Sequence, residues 1–199
     1  MQFADVVTSR QMVRAFQTRP VPSEVLDRVL DLSRRVPAAG NTQGLDLVVL
    51  EGEQTERYWN ATLTPERRAD FPWPQLLDAP VLIIPVANPH AYVERYGEND
   101  KKRTGLGESE QSWTVPYWYV DTAFSAMVSL LAAVDEGLGA LFFGQFEHEE
   151  AVKKALGIPV DHRPVGTIAL GYAAAEQRAS ASSKRQRRTF EEIVHRGGW

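Results

Sequence analysis

"PYWYVDTAFSAMVSLLAAVDEGLGALFFGQF", residues 116–146, decides the fold. Its first part predicts one helix over 116–136, with Pro116 at a plausible first position and Gly137 and Gly139 ending it. Asp121, Ser125 and Ser129 interrupt the apolar run from Val115 to Val134. A bilayer span needs about 20 predominantly apolar residues, so this run reads as a helix buried in protein. A helix apolar on nearly every side sits at the centre of a domain or is shared at a dimer interface. "ALFFGQF", 140–146, then reads as a buried strand or strand end. Gly144 inside it marks either a close backbone approach to a flat ligand or a bend in a core strand.

Working outward, residues 1–9 predict a short helix. "SEVLDRVLDLSRRV", 23–36, predicts a longer one: Ser23 can cap it, and Val25, Leu26, Val29, Leu30 and Leu32 line one face. "LDLVVLE", 45–51, and "PVLIIPVA", 80–87, read as strands, the second buried on both faces. "EEAVKKALG", 149–157, is a short amphipathic helix stopped by Gly157, and "PVGTIALGY", 164–172, is a strand. Between Glu94 and Glu110 nine of seventeen residues are charged and three are Gly. Residues 89–115 therefore read as a mobile insertion or lid, not a core element. Residues 173–188 predict an extended arm. The closing "TFEEIVHRGGW" returns to apolar, helical character, and Phe190, Ile193, Val194 and Trp199 imply that the arm docks on something. Strands and helices do not alternate cleanly, so the expectation is one α+β domain over 1–199, with helices on both faces of a mixed sheet.

The chain has 199 residues, 43% of them hydrophobic, enough for a sizeable core. A net charge of −4 gives no reason to expect nucleic-acid binding. There is no Cys, which excludes disulfides, thiol chemistry and Cys-based zinc sites. His90, His148, His162 and His195 are scattered, so no metal site is expected. "MQFADVVTSR" lacks the pattern of a signal peptide, which makes the cytoplasm the expected location, with no membrane partner.

Four stretches carry the chemistry. In "SRQMVRAF", Arg10 and Arg14 stand four apart, and two guanidiniums together suit a phosphate or simply a solvated surface. In "RVPAAGNTQG", 35–44, Pro37 ends a helix and Gly40 permits left-handed backbone. Asn41 and Gln43 there offer amides that either read a heterocycle's edge or satisfy a local turn. The strand ending at Gly144 is the third. "SSKRQRR", 182–188, is the fourth, either a phosphate clamp or a solvated charge run.

In this order and spacing the stretches resemble the FMN-dependent nitroreductase family. "SRQMVRAFQTRPVP" followed by "PAAGNTQG" is similar to its Arg-rich start, Pro-Val-Pro and amide loop. "DEGLGALFFGQF" resembles its Gly-Leu-Gly run, and "KRQRRTFEEIVH" its basic-then-apolar C-terminal segment. The resemblance covers about 5–52 and 116–199. It implies a three-layer sandwich around a mixed, mostly antiparallel sheet, in a homodimer whose C-terminal arm docks on the partner subunit. It also implies FMN held between subunits. Arg10, Gln11, Met12 and Arg14 would come from one side, with Arg185 and Arg187 closing on the phosphate. Pro37, Ala38, Ala39, Asn41 and Gln43 would come from the other subunit. Phe142, Phe143, Gly144 and Gln145 would run past the ring, with the Gly144 N–H near the reacting edge.

The sequence departs from the family pattern at several of these places. Met12 and Ala38 stand where a hydroxyl is often found, Gly144-Gln145 replaces a Gly-Gly or Glu-Gly pair, and Gly44-Leu45 replaces a Pro-aromatic pair. The implied activity is ping-pong hydride transfer from NAD(P)H through flavin to a nitroaromatic, quinone or enone, with no catalytic side chain. Flavin binding or sequestration without turnover, dehalogenation and flavin fragmentation stay open on the same fold. Trp113, Tyr117 and Trp118 either stack on substrate or pack in the core.

Overall fold

The computed structural model describes residues 1–199. In chain order its helices and strands are α1 (Phe3–Ser9), α2 (Ser23–Ser33), β1 (Leu45–Glu51), α3 (Thr55–Thr62), α4 (Pro65–Ala69), β2 (Val81–Ala87), α5 (Pro89–Gly97), α6 (Tyr117–Asp135), β3 (Gly139–Phe143), α7 (Glu149–Leu156), β4 (Arg163–Pro164) and β5 (Thr167–Gly171). The sheet order is β1-β2-β5-β3, with β4 as a two-residue pairing on β2, and every strand pair is antiparallel. The one parallel pairing is an isolated bridge from Met12 to Ala140. This is the expected α+β sandwich.

Period-two patterning in β2 makes the three layers. Val81 and Ile83 face one way and join Ile168 and Leu170 of β5 against Leu26 and Val29 of α2 and Ala126, Leu130 and Ala133 of α6. Leu82, Ile84 and Val86 face the other way, with Leu141 and Ala169, and meet Tyr58 and Trp59 of α3 and Val152 of α7. β2 is buried throughout, as its unbroken apolar run predicts.

α6 is long and apolar enough to cross a membrane by length and composition, yet half of its apolar window is buried inside the fold. Asp121, Thr122, Ser125 and Ser129 are buried, whereas Tyr117, Phe124 and Met127 are exposed. Ser129 meets the Ser33 hydroxyl at 2.7 Å and donates to the Ser125 carbonyl at 2.9 Å. The inward face thus mixes these polar residues with the core-packed Ala126, Leu130 and Ala133, and the outward face carries exposed apolar side chains.

Several expectations need correction. α2 stops at Ser33, short of 36, and Ser23 is its first helical residue behind Pro22, with no side-chain cap. Pro116 is the cap position of α6, and Tyr117 is its first residue. The segment 89–115 is not a coreless loop. α5 occupies its start, and Tyr92 and Trp113 pack with Trp118 in a buried aromatic cluster. Charge density hid the apolar positions between the charges. The closing 189–199 is not a helix: one turn forms, with Ile193 and Val194 N–H groups both donating to the Phe190 carbonyl. Phe190, Ile193, Val194 and Trp199 stay exposed in their own chain.

Gly139 lets the N-terminal segment dock on the sheet. A Cβ there would lie 2.8 Å from Val13 Cγ2, beside the Val13 N–H bond to the Ala140 carbonyl at 3.0 Å. Gly139→Ala is expected to cost about 1–3 kcal/mol by overpacking and to loosen the segment that carries Arg10 and Arg14. Denaturant unfolding checks this, and an unchanged midpoint would show that Val13 yields without cost.

Candidate flavin site

Three cavities hold most of the expected site residues, and two of them meet at Arg14. The first, about 460 Å³, is lined by Arg10, Gln11, Met12, Arg14 and Arg187, with Arg178, Ser180, Ser182 and Ser183. Docking of the segment after α1 on β3 brings its residues there, and the chain after β5 returns alongside. The Gln177 amide donates to the Ala15 carbonyl at 2.7 Å and its oxygen accepts from the Arg14 N–H at 3.2 Å. Arg10 Nη1 is buried and has no hydrogen-bond partner. Arg10, Arg14, Arg178 and Arg187 line this one cavity with four cationic side chains, so it suits an anion. Arg185 does not line it, although Arg187 does.

The second cavity, about 350 Å³, is walled by aromatic side chains. Phe142, Phe143, Gly144 and Gln145 line it together with Tyr58, Trp59, Phe71 and Trp73. Trp59 and Phe143 stack with their planes 2° apart. Residues 52–79 carry no expected role in the sequence reading, yet they supply this wall. Their signal was the aromatic content of "RYWN" and "FPWP". Arg14 lines both cavities. Its guanidinium lies 5.4 Å from the Trp73 ring, and that of Arg178 lies 5.3 Å from the same ring. Trp73 thus braces the two cations where the cavities meet.

Gln145 lines the second cavity from a fixed position. It is buried, and its amide donates to Thr167 Oγ1 at 2.9 Å, which in turn donates to the Tyr58 hydroxyl at 3.0 Å. Phe146, with φ +47°, is an exposed aromatic in left-handed backbone, and its ring stands over Gly144.

Burial pushes the Tyr58 phenol up to about 12, against the Thr167 bond, which lowers it. An unfolded tyrosine ionises near pH ~10. Through that window the unfolded chain loses a proton that the folded chain keeps. Stability therefore falls as pH rises, by up to roughly 2–3 kcal/mol. Tyr58→Phe is expected to flatten part of this alkaline slope in urea unfolding at about pH 9 and about pH 11. Tyr92, raised by burial and then by Asp121, keeps the slope from vanishing. Identical slopes in the two proteins would show that the Tyr58 phenol ionises normally.

The third cavity, about 160 Å³, is lined by Pro37, Ala38 and Gln43, with Tyr92 and Asp121. Ala39 and Asn41 lie in the adjoining turn. Gly40, Asn41 and Gln43 all have positive φ, at 62°, 55° and 56°. The Asn41 and Gln43 side chains meet at only 3.5 Å, the limit for a hydrogen bond, so their amides keep capacity for a ligand. Within one chain this loop shares no cavity with the Arg10 or Gly144 groups.

The Nitroreductase family model matches residues 7–172. The chain belongs to the nitroreductase family. It is 26% identical over 185 residues to an NADH dehydrogenase of Thermus thermophilus, covering 84% of each chain. A solved nitroreductase family protein from Clostridium difficile superposes with a TM-score of 0.72 at 21% identity over the whole of both chains. An FMN-dependent nitroreductase from the same species gives a TM-score of 0.68 at 18% identity, covering 98% of this chain and 99% of the other. The fold of this nitroreductase-family oxidoreductase is therefore that of its solved relatives.

Proposed function

We propose that this nitroreductase-family chain is a homodimeric FMN oxidoreductase that moves hydride from NAD(P)H to a small oxidant such as a nitroaromatic, quinone or enone. One observation carries the reading. Arg14 joins a basic cavity lined by Arg10 and Arg187 to an aromatic-walled cavity ending at Gly144. A molecule with a phosphate at one end and a flat, largely apolar heterocycle at the other fits that pair.

Arg10, Arg14 and Arg187, with Ser180, Ser182 and Ser183, would hold the phosphate. Phe142 to Gln145 would flank the ring, and Trp73 would fix the direction of Arg14. The loop 37–43, whose amides reach neither cavity in its own chain, would serve the partner subunit's site. The apolar outward face of α6 supports the dimer, and the exposed Phe190, Ile193 and Trp199 support an arm that docks on the second copy. FMN would supply the hydride-accepting and hydride-donating chemistry when bound. The chain's cations and backbone amides would stabilise negative charge that develops at the ring, so no side chain has to act as a base. Donor and oxidant would use one face in turn, giving ping-pong kinetics, and a nicotinamide donor fits the expected cytoplasmic location.

The test is a visible spectrum of the purified protein with mass spectrometry of the extracted ligand. Anaerobic addition of NADH or NADPH follows, and then a quinone. Yellow colour that bleaches and returns supports the reading. Colour that never bleaches identifies a flavin-binding protein without turnover, and a colourless protein that takes up no added FMN overturns the cofactor assignment.

A further inference from the structure

The charged segment 89–115, with Asn88 just before it, contacts the amide loop at four places. The Arg95 guanidinium donates to the Gly40 carbonyl at 2.9 Å and is itself held by Asp100 at 2.7 and 2.8 Å and by Glu98 at 3.0 Å. The Tyr96 ring lies where a Cβ on Gly40 would be, at 2.8 Å, and the Tyr92 ring lies 2.6 Å from a Cβ built on Gly44. Small residues are therefore required at 40 and 44 because α5 lies against them. The Asn88 N–H completes the set, donating to the Gly44 carbonyl at 3.0 Å.

Asp121 closes the arrangement from below. Its Oδ2 accepts from the Ala39 N–H at 2.8 Å and from the Tyr92 hydroxyl at 2.7 Å. It is buried on the inward face of α6, and the only side-chain hydroxyl it meets belongs to α5. A single carboxylate oxygen thus joins the amide loop, α5 and α6. The loop it fixes holds three residues with positive φ, two of them not Gly. Such backbone persists only where its surroundings over-determine it.

We propose that Asp121 is the positioning residue of the amide loop, and that through Tyr92 it makes the segment 89–113 part of the cofactor site's support and not a gate for substrate. The proposal rests on the flavin reading above. It assigns Asp121 no contact with the ligand: it acts by holding Ala39, and with it Asn41 and Gln43, in the geometry a partner subunit's flavin would meet.

The experiment compares full-length wild type with Asp121→Ala, Asp121→Asn and Tyr92→Phe, using FMN as the probe. FMN affinity, the visible spectrum of bound FMN and hydrogen exchange of the amides 38–43 are measured. Asp121→Ala leaves the Ala39 N–H and the Tyr92 hydroxyl without their acceptor, and is expected to weaken FMN by roughly tenfold or more, shift the flavin spectrum and release the Ala39 amide to exchange. Asp121→Asn keeps an acceptor oxygen and is expected to recover most of all three. Tyr92→Phe, which keeps the carboxylate and the ring, is expected to give a smaller loss in the same direction, and stands in should Asp121→Ala fail to fold. Wild-type affinity, spectrum and exchange in a folded Asp121→Ala, or in Tyr92→Phe if that is the only folded variant, would overturn the proposal. Release of Ala39 in a protein whose wild type takes up no FMN would overturn the flavin reading and leave the anchor standing.

Discussion

Replacing Phe124 and Met127 together with aspartate is expected to turn the proposed homodimer into a folded monomer that purifies without flavin. The two side chains are 45% and 42% exposed in the isolated chain. Their loss therefore removes little from the monomer's own core. In a dimer built on the outward face of α6 the same positions would be buried. Burying an unpaired carboxylate costs several kcal/mol per ion, and two substitutions in each of two subunits place four such groups at one interface. Association should fail at any practical concentration. The amide loop 37–43 would then have no second chain to serve, and colour should be lost with the dimer. Sedimentation velocity and the visible spectrum of the same sample check both parts. A wild type that sediments as a folded monomer at micromolar concentration would sink the dimer and the shared site together. A double variant that stays dimeric and yellow would move the interface away from α6.

Arg10→Ala is expected to weaken FMN binding by about 10- to 150-fold, since a hydrogen bond to a charged group contributes about 1.5–3 kcal/mol. A second readout separates this from a structural role. Arg10 Nη1 is buried without a partner, so the ligand-free protein should lose no stability on its removal. The expected signature is an unchanged or raised melting temperature without FMN and a much smaller rise on adding FMN. Arg187→Ala should lose affinity in the same direction, because Arg187 lines the same cavity, whereas Arg185→Ala should not. A drop in the melting temperature of ligand-free Arg10→Ala, with FMN affinity unchanged, would make Arg10 a structural residue. Loss of affinity in Arg185→Ala alone would place the phosphate elsewhere in the basic run.

Local pattern made much of this molecule legible. The apolar face of 23–33, the apolar stretch of 45–51, the unbroken apolar run of 81–87 and the Gly after 149–156 each lie within one window, and each element formed there. The family resemblance rested on residues the structure does gather: Arg10, Gln11, Met12, Arg14 and Arg187 around one space, and Phe142 to Gln145 beside another. Counting charges misled where apolar residues were spaced between them. In 89–115, Tyr92, Tyr96 and Trp113 outweigh their charged neighbours, because burying a few large rings fixes a segment whose charges can stay in water. The apolar residues of 189–199 misled in the opposite direction, since they stay exposed in their own chain.

The sequence by itself determined the elements that a period of two or 3.6 can encode, the absence of thiol chemistry and the family. Tertiary structure alone decided what Asp121 is for. In the sequence it is a polar break in an apolar helix, and in the fold it accepts from Ala39, 82 positions away, and from Tyr92. Packing also decided that residues 58–73 wall the aromatic cavity and that α6 buries Asp121, Thr122, Ser125 and Ser129. The physical reason is the same for each. Helix and strand periods follow from geometry repeated over neighbouring residues, whereas a hydrogen bond or a cavity wall between distant residues exists only once the layers have packed.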